Sequence, residues 1–203
     1  MPEPIEFTIV STVGEVNEIL ELQAENHPSA LTPETMSREG FVTVRHDATV
    51  LERMNEVAPA VIAKAGDRVI GYALVMPRTF AADVPILRPL FEKLDTLSWR
   101  GVSLGADPRW FVMGQICIAE GCRGLGIFDG MYRTMAERYR DRFDFIVTEV
   151  AARNTRSLRA HARVGFETLH VYADATTGEE WHVIALDFRA SSPRRASRYA
   201  APT

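Results

Sequence analysis

The sequence predicts an α/β domain: a largely antiparallel sheet with one or more parallel crossovers, flanked by helices. Three observations carry this. Apolar runs of period two alternate with amphipathic runs of helical period. Their order is strand, helices, two strands, then β-α-β-α-β-β. Finally, a buried strand runs through Arg123-Gly124-Leu125-Gly126 directly into a helix. The 203 residues are enough for one domain around a single core, with 46% apolar and 25% charged residues as in an ordinary globular protein.

Residues 7–10 read as a short strand, and Thr12-Val-Gly-Glu15 has the form of a capping box. Val13, Val16, Ile19, Leu20 and Ala24 follow at helical spacing, so this helix ends before Pro28. Thr32-Pro33 starts a second helix, and Asp47 or Thr49 caps a third that runs through Met54. Residues 60–64 and 69–75 form a hairpin across Ala65-Gly66-Asp67. Residues 81–108 are irregular, with a helix over 85–94. A connection this long is either a functional wall or an insertion with docked aromatics. Residues 110–119 read as one strand with Ile116 and Ile118 on one face. A helix over 126–142 follows from Ile127, Met131, Met135 and Tyr139. Then come a strand over 143–150, a helix over 154–164 stopped by Gly165, and strands over 166–173 and 181–188. Residues 1–188 are therefore expected to form one domain and the Arg-rich residues 189–203 a mobile tail.

Composition excludes several classes. No apolar run approaches the roughly 20 residues of a membrane helix, and the N-terminus lacks a signal-peptide pattern, so a cytoplasmic protein without a membrane partner is expected. The net charge of -4 argues against nucleic acid as a partner. Cys117 and Cys122 read as free thiols, and no histidine or cysteine spacing suggests a metal site. A monomer or homodimer is expected.

The stretch from Gln115 to Tyr132 is the one that points to chemistry. Glycines let successive backbone N–H groups point one way, the free amides of a helix start add partial positive charge, and Arg123 adds a full one. A pyrophosphate suits such a turn. A dinucleotide fingerprint is only approximated, because Gly130 follows Gly126 one place late. A second motif begins at Asn154, with Ser157 three, His161 seven, and Gly165-Phe166 eleven and twelve residues later.

Together these motifs resemble the GNAT acetyltransferase superfamily. That family has Gln/Arg-x-x-Gly-x-Gly/Ala after its fourth strand, then Asn, a small residue at the third position, usually Tyr at the seventh, and Gly-Phe at the helix end. The likeness covers residues 110–172, and Ile118, five before Arg123, also fits. Phe128 departs from it, standing where the family has Gly or Ala.

The resemblance implies the GNAT fold, with acetyl-CoA as acyl donor to an unidentified primary amine that attacks directly in a ternary complex. Arg123 and the amides of Gly124, Leu125, Gly126, Ile127 and Phe128 would hold the pyrophosphate. The backbone of Ile116, Cys117 and Ile118 would pair with pantetheine, where this strand splays from that of residues 145–150. Asn154 and Ser157 would help hold pantetheine, Asn154 also serving as a helix cap. His161 stands at the position of the family's tyrosine and would protonate the departing thiolate; otherwise it is a packed histidine. Glu149, a carboxylate on an otherwise apolar strand face, is the candidate base or else the partner of a nearby arginine. Gln115 could bind substrate or orient water. His27, His46, Asp47 and residues 81–108 would border the acceptor. The alternative is a protein of this fold that binds CoA or acyl-CoA without turnover.

Overall fold

Local signals start most of the elements. The computed structural model describes residues 3–106, 109–175 and 177–188; the Arg-rich segment 189–203 lies outside them. After β1 (Ile5–Ile9), Thr12 and Glu15 form the expected reciprocal capping box of α1 (Val13–Glu25). Thr32 caps α2 (Pro33–Glu39), with proline in its first turn. Asp47 caps α3 (Ala48–Val57). The hairpin of β2 (Val61–Ala65) and β3 (Arg68–Ala73) turns at Gly66, whose φ of 59° suits glycine. A two-residue β4 (Met76–Pro77) follows, and two single 3-10 turns lead to α4 (Arg88–Asp95). A small hairpin comes next, β5 (Ser98–Trp99) and β6 (Val102–Ser103). The remaining elements are β7 (Trp110–Val112), β8 (Ile116–Ile118), α5 (Ile127–Tyr139), β9 (Phe145–Ala151), α6 (Thr155–Arg163), β10 (Glu167–Ala173) and β11 (Glu180–Asp187).

Two sheets carry the domain, one ordered β1-β2-β3-β8 and the other β10-β11-β9-β7-β4; β5 and β6 pair separately. All pairings are antiparallel except β7 with β9, which run parallel across the α5 crossover. The mixed, largely antiparallel architecture is thus the one expected. One element differs. Residues 110–119 are two strands, not one, and the break at 113–115 sends β7 and β8 into different sheets. The chain makes the same switch between β3 and β4.

β9 separates two cores by the alternation of its side chains. Ile146 and Val150 join the larger core with Ile19, Tyr72, Met131 and Met135 from the helices and the first sheet. Phe145 and Val147 join a second core with Leu87, Leu90, Phe91, Leu94, Trp99 and Trp110. The 81–106 segment therefore contributes the cover of one sheet face. Trp99 meets Phe145 edge-on at 5.2 Å. Arg100, at a φ of 49°, ties the β5–β6 turn to Asp187 at 3.0 Å and Glu167 at 2.7 Å. Gly130, a near miss for a dinucleotide motif, has a packing role: a Cβ there would collide with the Phe7 ring of β1. No helix among the described residues is long and apolar enough to cross a membrane.

Candidate functional site

The break in the 110–119 segment opens a cleft. β7 follows β9 from Trp110↔Phe145 to Val112↔Val147, and the last link is Met113 N to Val147 O at 2.9 Å. The Thr148 hydroxyl donates to the Met113 carbonyl at 2.8 Å, and beyond it the strands part. β8 instead pairs with β3. Gln115 O accepts from Leu74 N, and Ala119 N donates to Ile70 O. The backbone groups of odd-numbered residues therefore face β3, and those of Ile116 and Ile118 turn away from it.

At the far end of β8 lies the glycine turn. Gly124 and Gly126 have φ of 83° and 75°, and no atom stands within 4 Å of where a Cβ would be. The requirement for glycine is thus conformational, and the space beside the turn is open. Gly126 caps α5 without a side-chain hydrogen bond, so the first amides of α5 are left for an external acceptor. Arg123 braces this turn, with Nε donating to Ile118 O at 3.2 Å and an Nη to Asn26 Oδ1 at 2.8 Å. Phe128 points into an aromatic cluster with Tyr132 and His161, at 5.0 and 5.1 Å, leaving its own amide on the helix start.

A cavity of about 350 Å³ fills the cleft beside the turn. Ile116, Cys117 and Ile118 form one wall, and Asn154 and Ser157 another. Arg123, Gly124 and Phe128 close the cationic end, joined by Arg156, Arg159 and Arg163 from α6. Those three arginines were missed in the sequence reading. Their signal is their spacing, which puts them on one face of a helix. Leu125 is 61% exposed at the tip of the turn, and Ile127 is buried beneath α5. Asn154 is the expected cap, accepting from Ser157 N at 3.2 Å. Burial pushes the Cys117 thiol up to about 12, so it stays protonated at neutral pH.

A second chamber of about 80 Å³ shares Phe41, Val42, Ile116, Asn154 and Ser157 with the first, and adds Gln115, Thr148, Glu149, His161 and Trp181. Burial raises the Glu149 carboxyl above its ordinary value, although Tyr172 OH donates to it at 2.7 Å. Its hydrogen-bond partner is thus a phenol and not one of the nearby arginines. Gln115 is committed to structure: it accepts from Tyr72 OH and donates to Val44 O at 2.8 Å.

His161 is 1% exposed. Its Nδ1 lies 2.8 Å from the Ser157 carbonyl, which can only accept, so the proton sits on Nδ1. Nε2, 2.8 Å from Tyr132 OH, then accepts. Burial lowers its pKa to about 4. The ring is a neutral member of the aromatic cluster at neutral pH.

The residues expected to border the acceptor do not line the two chambers. His27 and Asp47 cap short helices. His46 is buried, bonded through its backbone to Gln23 Oε1 at 3.0 Å, with its pKa lowered to about 4 by burial. None of the three lines either chamber. Residues 81–106 do not line them either; their aromatics are core. Phe41, Val42 and Thr43, which follow α2, border the chambers in their place.

Comparison with known proteins agrees with this geometry. A GNAT-family protein from Desulfovibrio desulfuricans superposes with a TM-score of 0.61 at 14% identity, covering 91% of this chain and 99% of that one. The yncA protein of Salmonella typhimurium, solved with its cofactor acetyl-CoA, gives 0.59 at 13% identity over 98% of each chain. The ribosomal-protein-S18-alanine N-acetyltransferase of Escherichia coli gives 0.56 at 10% identity, covering 97% of this chain and all of that one. At these identities the likeness is one of fold. No sequence among the curated proteins matches. The model of the acetyltransferase (GNAT) family matches residues 16–166, and the chain belongs to that family.

Proposed function

We propose that the protein transfers the acetyl group of acetyl-CoA to a primary amine by direct attack in a ternary complex. The observation that carries this reading is the pair of adjoining chambers between β8 and β9, one beside the glycine turn and its arginines and the other lined by the half-buried Glu149 carboxylate. The residues present fit acetyl-CoA. Left-handed Gly124 and Gly126 leave the start of α5 open, and four arginines surround it, a donor set for phosphates. Arg123, through its bonds to Ile118 and Asn26, holds the turn in shape as well as charging it. The outward backbone groups of Ile116 and Ile118 would pair with pantetheine, and Asn154 and Ser157 would border the same arm.

Acetyl-CoA supplies an activated acyl group as a thioester. Glu149, with its raised pKa, takes one proton from the ammonium. The amide C–N bond then forms as the thioester C–S bond breaks. The second proton that nitrogen loses balances the one the departing thiol takes up. A covalent acyl-cysteine route is disfavoured because burial keeps the Cys117 thiol protonated. His161 is reassigned from general acid to positioning residue: its one proton is held by the Ser157 carbonyl and its lone pair by Tyr132. Binding of acyl-CoA without turnover is the second reading, suggested by Phe128 and by a histidine in place of the family's tyrosine; the Phe128 ring borders the donor chamber and packs against Tyr132 and His161. Thiol release from acetyl-CoA across a panel of primary amines tests the reading: amine-dependent release is expected. Saturable binding without release under every amine would favour the non-catalytic alternative.

A further inference from the structure

The acceptor chamber carries one formal charge. Among the described residues that line it, Glu149 is the only Asp, Glu, Lys or Arg, whereas four arginines line the donor chamber. His161, its other titratable group, is neutral. The cations at the rim are engaged. Arg153 lies 4.8 Å over the Phe41 ring and pairs with Glu179 at 2.7 Å. Lys93 lies 5.6 Å over the ring of Tyr172, the phenol that donates to Glu149. Asp174 adds a negative charge felt at Glu149. Phe41, Met113 and Trp181 supply apolar wall, and Thr43 and Thr148 uncharged polar wall.

We propose that the acceptor is a small primary amine with an apolar or aromatic body and no carboxylate beside the nitrogen. This rests on the acetyl-transfer reading above and specifies its second substrate. An ammonium entering the chamber meets Glu149, the one carboxylate among its described lining residues, which is attractive to a cation. A carboxylate on the adjacent carbon would leave water next to Glu149 with no counter-ion among the lining residues. That cost falls on amino acids and not on amines. The chamber's roughly 80 Å³ admits the amine head and its first carbons, so the body would lie against its apolar lining, Phe41, Met113 and Trp181.

The test uses the wild-type protein, acetyl-CoA and thiol release with pairs that differ only in the carboxylate: phenethylamine against phenylalanine, and tyramine against tyrosine. The dipeptide Phe-Gly stands for a peptide N-terminus. Each amine is expected to exceed its amino acid in kcat/KM by about 10–100-fold, the range for stranding a buried charged or polar group. Glu149→Gln is expected to shrink that ratio toward one while acetyl-CoA affinity, measured by calorimetry, is kept. An amino acid equal to or better than its amine, or Phe-Gly better than phenethylamine, overturns the acceptor class and leaves the transferase reading standing. No thiol release with any of the five compounds overturns this proposal, and the transferase reading then stands or falls with the wider panel of primary amines.

Discussion

Glu149 is half-buried and His161 buried, and the loss of solvent pushes each toward its neutral form. For Glu149 that makes a better base. Glu149→Gln should lower kcat/KM by about 10²–10⁴-fold, the span of general base catalysis. The wild-type kcat/KM should rise with pH through a limb lying above the ordinary carboxylate value of 4.5. A limb at or below that value would remove Glu149 from the role. For His161 the consequence is stability. Its folded pKa of about 4 lies below the ordinary value of 6.5, so between these the unfolded chain binds the extra proton. The contribution is present above about pH 6.5 and lost as pH falls toward 4, on the order of 3 kcal/mol. His161→Gln should flatten the acid side of the stability profile, as followed by urea melts from pH 4 to 7. The same variant should leave the alkaline side of the kcat profile in place, whereas loss of a limb there would restore the general-acid role. The offset of seven residues after Asn154 brings His161 to the wall of the second chamber. The tautomer of His161 follows from Ser157, one helical turn earlier, but its burial depends also on Tyr132 of α5, which no spacing in the sequence connects to it.

Helix starts were legible because their signals are local: Thr12 with Glu15, Thr32 with Pro33, Asp47, Asn154. The break within residues 110–119 was not, because it depends on partners far along the chain, β9 for one half and β3 for the other. An apolar run looks the same in one strand or two. The glycines of the phosphate turn and of α5 looked alike in sequence, yet they act differently. Gly124 and Gly126 are needed for their φ beside open space, and Gly130 for the approach of Phe7. Gly130→Ala should therefore destabilise the fold by about 1–3 kcal/mol, as overpacking does. Phe7→Leu should recover part of that loss in a double-mutant cycle. Additivity of the two changes would contradict the contact. Arg123→Ala should weaken acetyl-CoA by about 1–3 kcal/mol and also loosen the turn, since it removes bonds to Ile118 and Asn26. Unchanged affinity would show that the remaining arginines and amides suffice.

At the scale of the molecule, two cores on opposite faces of β9 hold the splayed strands in place. Residues 81–106 belong to that support and not to the cleft wall, a difference hidden in the sequence because docked aromatics and a substrate wall share a composition. Trp99→Ala should cost about 3–5 kcal/mol of stability, read by denaturant melts, and leave acetyl-CoA affinity in the folded protein unchanged. Hydrogen exchange with bound donor should protect residues around β8, the turn and α6 more than residues 81–106. The central claim is that acetyl-CoA lies in the β8–β9 cleft with its pyrophosphate on the turn before α5. Calorimetric titration of acetyl-CoA into the wild type and Gly126→Val tests it most directly, because a Cβ at Gly126 points into the open space beside the turn and a φ of 75° strains valine in the turn itself. Saturable one-to-one binding to the wild type and a loss of tenfold or more in a variant that still folds is the predicted result; equal affinity in the two proteins, or no binding to either, would contradict the account.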